Sequence, residues 1–222
     1  LPIYSVRIMV CSNGNVLLRD KITTQLAKGF ENKKLAYKSI NRTLEGIKAL
    51  MQKAENLPEI KRGNKKINYF AFATAAVRNS ENGSDFCDAA INECKIKIDV
   101  LSGEREAILG LSGALKGRDG AILDVGGGST EVSVAEKSKI VYSKSIPLGA
   151  VVLSDICQKD KQKAIEKADE FIRGFNDFGG TGFENGLCGI GGTSNTLSYI
   201  SCGARVYDRE KQEGRVLTTE KL

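Results

Sequence analysis

The sequence predicts an α/β protein built in two halves. Three observations carry this. Each half opens on a hairpin pattern, strand-like runs give way to helices with apolar residues every three or four positions, and each half offers a polar turn. At 222 residues and 41% hydrophobic content, the chain has enough apolar material for one large or two small cores.

Residues 6–11 and 15–23 read as a hairpin about the Ser12-Asn13-Gly14 turn. Across 34–56, Tyr37, Ile40, Leu44, Ile47, Met51 and Ala54 recur at helical spacing, which predicts a long amphipathic helix ended by Leu57-Pro58. Residues 67–73 read as a buried strand running into a short helix near 74–78. A helix over 85–94, a strand over 95–101 and a helix over 104–115 follow. The polar break Lys116-Gly-Arg-Asp-Gly120 sets the expected boundary, giving domains 1–118 and 119–222. The second half restarts with strands at 121–125, 130–136 and 139–146. A helix over 159–176 carries the stripe Ala164, Ile165, Ala168, Phe171, Ile172 and Phe175. A strand near 187–190 then leads through Gly191-Gly192-Thr193 into a helix near 195–200, a turn that suits an anion at a helix start or serves simply as a connection.

Composition removes several chemistries. There is no histidine, which excludes Ser/His and Cys/His triads and leaves a carboxylate, lysine or tyrosine as any general base. The six cysteines lack a C-x-x-C pair, which speaks against zinc and for reduced, mostly buried thiols. No run approaches ~18 apolar residues and no signal peptide is recognisable, so a cytoplasmic protein without membrane attachment is expected. The net charge of +6, bunched at Lys33-Lys34, Lys61-Arg62, Lys65-Lys66 and along 159–167, suits a polyanionic ligand. Few aromatics, no tryptophan and no interleaving of aromatic with basic residues argue against nucleic acid.

The run 122–134 is the richest in chemistry. Asp124, the glycines Gly126, Gly127 and Gly128, the hydroxyls of Ser129 and Thr130, and Glu131 fall within eight residues. Glycines let backbone N–H groups converge on an anion, and Ser129 and Thr130 add donors. Asp124 and Glu131 would repel a bare polyphosphate, and a divalent cation such as Mg²⁺ would reconcile the charges. The plainer reading is a glycine-rich hairpin with solvated acids. A Walker A loop is excluded, because G-x-x-x-x-G-K-[ST] is absent and these glycines lead into a strand.

Five segments, in order along the chain, carry a resemblance: 71–78 (AFATAAVR) with Asn82 beyond it, 101–107 (LSGEREA), 123–131 (LDVGGGSTE), 145–151 (SIPLGAV) and 189–197 (GIGGTSNTL). The chain resembles the exopolyphosphatase and guanosine pentaphosphate phosphohydrolase family, within the actin, sugar kinase and heat-shock ATPase superfamily. The resemblance implies two ribonuclease H-like (actin-like ATPase) domains with a phosphate-binding cleft between them, the second closing beyond the end of this chain. It implies that Glu106 activates water, that Asp124 and Glu131 associate with Mg²⁺, and that Glu131 also helps position the water. Arg78, Gly126 to Thr130, Gly192 and Thr193 match phosphate- or substrate-facing positions. Where the family's first loop resembles D-[IL]-G-[ST]-N-S, residues 1–5 read LPIYS, keeping only Ser5. The implied reaction is hydrolysis of a terminal phosphate from inorganic polyphosphate or guanosine pentaphosphate, in a homodimer, within the stringent response. The alternative is a non-catalytic sensor of polyphosphate or guanosine tetraphosphate with the same fold. The presence together of Glu106, Asp124 and Glu131 favours the hydrolase.

Overall fold

The structure, a computed structural model, describes residues 5–28, 33–63, 66–137, 139–158, 160–173, 186–203 and 213–218. Backbone contacts divide it into two compact units, Leu1–Ser102 and Gly103–Leu222.

In the first unit, strands β1 (Ser5–Ser12) and β2 (Asn15–Thr23) form the expected antiparallel hairpin. Asn13 and Gly14 both take positive φ at its tip, as a tight primed turn requires. Helix α1 (Tyr37–Glu55) follows, burying Ile40, Leu44, Ile47 and Leu50. Tyr37, placed in the apolar stripe by its spacing, is instead 78% exposed at the helix start. Pro58 occupies the first turn of a short helix α2 (Pro58–Lys61), where its missing N–H costs nothing. The strand expected over 67–73 is only β3 (Ala71–Ala73). Its parallel partner β4 (Ile98–Val100) offers pairing across just those positions, so 67–70 stay outside the ladder. Between them lie α3 (Ala75–Arg78) and α4 (Gly83–Cys94). Phe86, Ala90 and Ile96 complete the core against α1.

The second unit begins with helix α5 (Gly103–Leu115). The expected boundary at 118/119 is therefore corrected to 102/103. Leu111 and Leu115 of α5 bury with Ile122 and Ala135, so hydrophobic contact overrides the polar break at 116–120. A four-stranded sheet carries the unit, ordered β7 (Lys139–Ile146), β6 (Thr130–Glu136), β5 (Gly120–Val125), β8 (Leu187–Ile190). β5 runs antiparallel to β6 and parallel to β8. Helix α6 (Ala150–Cys157) was not foreseen. Helix α7 (Lys161–Ile172) falls within the expected 159–176, and Asp160 caps it by accepting from the Lys163 N–H. Residues 159 and 174–176, with Phe175 of the stripe, and the first-loop residues 1–4 lie outside the described residues. Helix α8 (Gly191–Ser201) starts four residues before the expected position.

All six cysteines are free thiols, but only Cys94 and Cys157 are buried and Cys11 is exposed, which corrects the expectation of mostly buried thiols. Among the described residues no helix is long and apolar enough to cross a membrane.

Candidate active site

The hairpin of β5 and β6 places Asp124 directly opposite Glu131. Directly opposed residues project from the same face, so two carboxylates stand side by side at the end of the sheet. Four residues join the strands, closed by the Gly126 N–H donating to the Ser129 carbonyl at 2.9 Å. The carbonyls of Gly126 and Gly127 face α6 and accept from the N–H groups of Ala150, Val151 and Val152. Otherwise orphaned donors at the start of α6 are thereby satisfied. Such close approach requires glycine at 149, where a Cβ would run into the backbone of Gly126 and Gly127. Each peptide unit is planar and trans, so the N–H groups of Gly127 and Gly128 point opposite to those carbonyls, away from α6. The loop thus turns two successive amides to the side away from α6.

The hydroxyls expected to bind phosphate are engaged within the protein. Ser129 donates to the Glu131 carboxylate. Thr130 donates to the Leu148 carbonyl, and Thr193 donates to the Val125 carbonyl at 2.6 Å. Ser145, opposite Glu131 on β7, donates to Glu131 Oε1 at 2.8 Å. Thr130 and Thr193 thus pin the loop and α8 in place, while Ser129 and Ser145 grip Glu131.

Burial pushes the Glu131 carboxyl above the usual range. The two serine hydrogen bonds pull it down, and the negative charges of Glu106 and Asp124 push it up again. Three carboxylates therefore sit within electrostatic reach of one another in one unit. Glu106 comes from the first turn of α5, where the N-terminal end of the helix favours negative charge. Asp124 has a comparable setting. Gly191 opens α8 at φ +80°, and its Cα lies so close to the Asp124 carboxylate that a Cβ would overlap Oδ1. Gly192 and Thr193 occupy the same first turn, so the second polar turn joins the first.

Arg78 and Ser5 belong to the other unit. Arg78 ends α3 and its Nη1 donates to the Leu101 carbonyl at 2.7 Å, tying that helix to the chain beyond β4. Ser5 opens β1 opposite Thr23, and its hydroxyl accepts from Arg7 Nε at 3.4 Å.

Among the described residues no group of three or more His, Cys, Asp or Glu side chains is disposed to hold a metal. Asp124 and Glu131 are thus a seat of two carboxylates, not a cage. That fits Mg²⁺, which is commonly held by one or two carboxylates with water and substrate phosphates completing its shell. Sequence reasoning passed over Ser145 and Gly149 as individual residues. Their signal was the segment 145–151, whose pairing with β6 and packing on the glycine loop appear only in three dimensions.

The chain matches the model of the Ppx/GppA phosphatase family over residues 8–222. A bifunctional 3-dehydroquinate synthase/phosphatase of Fusobacterium nucleatum is 28% identical over 208 residues, covering 86% of this chain and 30% of that protein. A guanosine-5'-triphosphate,3'-diphosphate pyrophosphatase of Photobacterium profundum is 28% identical over 168 residues, 73% of this chain and 32% of its own. Exopolyphosphatase 1 of Mycobacterium tuberculosis is 32% identical over 113 residues, 49% of this chain and 33% of its own. The chain spans about a third of the length of these relatives. The crystal structure of the Aquifex aeolicus family member superposes with a TM-score of 0.74 at 25% identity, over 99% of this chain and 73% of that one. With Glu106, the glycine loop, the segment 145–151 and the Gly191 turn gathered in one unit and a family match over nearly its whole length, this chain belongs to the Ppx/GppA phosphatase family.

Proposed function

We propose that this protein hydrolyses a terminal phosphoric anhydride, releasing orthophosphate from inorganic polyphosphate or guanosine pentaphosphate. The observation that supports it most is the gathering of Glu106, Asp124 and Glu131 about the Gly126 to Ser129 loop, with Glu131 held by two hydroxyls. In this reading Glu106 takes the proton of a water whose oxygen attacks the terminal phosphorus. The bond from that phosphorus to its bridging oxygen breaks, and the shortened phosphate chain leaves with the electron pair. The N–H groups of Gly127 and Gly128 face the phosphoryl oxygens and stabilise the charge that develops there. Glu131, fixed by Ser129 and Ser145, orients the water. Asp124 and Glu131 would hold Mg²⁺, which when bound supplies positive charge between the carboxylates and the phosphoryl oxygens. For Arg78 and Ser5, a phosphate-binding role rests on the family resemblance alone.

The test is phosphate release with Mg²⁺ from long-chain polyphosphate and from guanosine pentaphosphate. Glu106→Gln is expected to lower kcat by about 10²–10⁴-fold, the usual weight of a general base, with ligand affinity within severalfold. Comparison of kcat/KM decides between the substrates. A folded protein that binds both ligands and releases phosphate from neither would overturn the hydrolase reading.

A further inference from the structure

The first unit contains an open groove of about 1050 Å³ whose lining includes no residue assigned to phosphate chemistry. It is bounded by the ends of α1 and α4, by α2, and by the segments that lead into β3 and β4, and Lys61, Lys66, Lys95 and Lys97 line it. Tyr69 and Phe70 run directly into β3 and Lys97 into β4, so the groove lies at the N-terminal end of this parallel pair. Arg78 and its partner Leu101 lie past the other end, beyond roughly 10 Å of strand.

Charge singles the groove out. Leu1–Ser102 holds 17 basic against 10 acidic residues and Gly103–Leu222 holds 16 against 17, so the whole positive excess belongs to the first unit. Lys95 is spent on structure, donating to the Asn92 carbonyl at the end of α4. Lys61, Lys66 and Lys97 make no ion pair with another described residue. Glu55, the acid of the lining, is engaged by the Tyr69 hydroxyl at 3.2 Å. Three mobile ammonium groups along an open trough, with no arginine fork among them, suit an irregular string of phosphates better than one fixed anion. With the Tyr69 hydroxyl tied back, Phe70 alone, 83% exposed, offers a stacking face, which disfavours a polymer carrying bases.

We propose that this groove is a second binding site for a linear phosphate polymer, inorganic polyphosphate, distinct from the site of hydrolysis. The identity of the polymer rests on the hydrolase reading; the binding itself does not require turnover.

Binding of long-chain polyphosphate and of tripolyphosphate is measured across a salt series in the Glu106→Gln protein, alone and with either of two triple substitutions. Lys61→Gln/Lys66→Gln/Lys97→Gln empties the groove of charge, and Lys139→Gln/Lys161→Gln/Lys163→Gln removes the same charge elsewhere. All six lysines are exposed, so melting temperatures are expected to stay unchanged. The groove variant is expected to lose at least about tenfold in affinity for the long chain. Its log affinity against log salt should flatten by about 2, as three lost phosphate contacts imply. Tripolyphosphate affinity should hold in both variants. Undiminished long-chain affinity in the groove variant, an equal loss in both variants, or tighter binding of single-stranded RNA of matched charge would each overturn the proposal. Loss confined to the groove variant in a protein whose Glu106 form releases no phosphate would sink the hydrolase reading and uphold the groove.

Discussion

Glu131 stands where burial and two neighbouring acids oppose its ionisation while Ser129 and Ser145 support it, and the raised pKa gives the outcome its sign. The folded protein keeps the proton on Glu131 to a higher pH than the unfolded chain does. Between the ordinary glutamate range, about 4.3, and the raised folded value, the folded state binds more protons. This residue's contribution to stability therefore falls as pH rises through that window and recovers on acidification. Glu131→Gln, which cannot ionise, is expected to gain stability relative to the wild type as pH climbs from about 4 to neutrality. Urea unfolding of both proteins at a series of pH values checks it. Mg²⁺ should narrow the gap at neutral pH, because a cation relieves the repulsion that protonation otherwise relieves. A wild type that gains on the variant with rising pH would mean the serines dominate the carboxylate after all.

Helix α8 begins at Gly191 and Gly192, which local propensity places outside a helix, so its start was expected four residues late. Tertiary fit decides otherwise. Gly191 takes φ +80° to turn the chain out of β8 while leaving room for the Asp124 carboxylate. Helix α6 escaped for the same kind of reason: its first N–H groups are capped by glycine carbonyls more than twenty residues earlier in sequence, which no local window contains. By contrast α1 was legible because one chain segment carries its whole apolar face, and the β5–β6 hairpin because strand and turn signals adjoin. Glu106 stood out only through the family resemblance, whereas Asp124 and Glu131 were legible from their types and spacing. That Ser129, Thr130 and Thr193 turn their hydroxyls inward was not, since each acceptor depends on the folded path. Gly191→Ala is expected to cost about 1–2 kcal/mol for a left-handed alanine and, in addition, to displace Asp124 and suppress phosphate release. Gly203→Ala supplies the comparison. It carries the same kind of strain at φ +61° with nothing within 4 Å, so it should lose similar stability and keep its activity. Equal activity losses in the two variants would detach Asp124 from the effect.

At the scale of the whole molecule, the division at 102/103 decides which functional side chains move together. Helix α5 carries Glu106, and it packs on the sheet through Leu111 and Leu115. Gly110 lets it approach closely, since a Cβ there would press on Ile122 and Ile190. Glu106 is thereby fixed to the body that holds Asp124 and Glu131, and the three acids keep their spacing whatever the first unit does. Had the boundary fallen at 118/119, Glu106 would have belonged with Arg78. Hydrogen exchange separates the two cases. Leu111→Ala removes a buried side chain at an expected cost of about 2–5 kcal/mol. Faster exchange should spread through the amides of α5, β5 and β6, while those of α1, which pack in the separate core around Leu44 and Phe86, keep their protection. Acceleration shared equally by α1 would mean the units open as one and that the acids owe their arrangement to the entire chain. Confinement to the second unit would locate the preorganisation of the three carboxylates in the contact of a single helix with a single sheet.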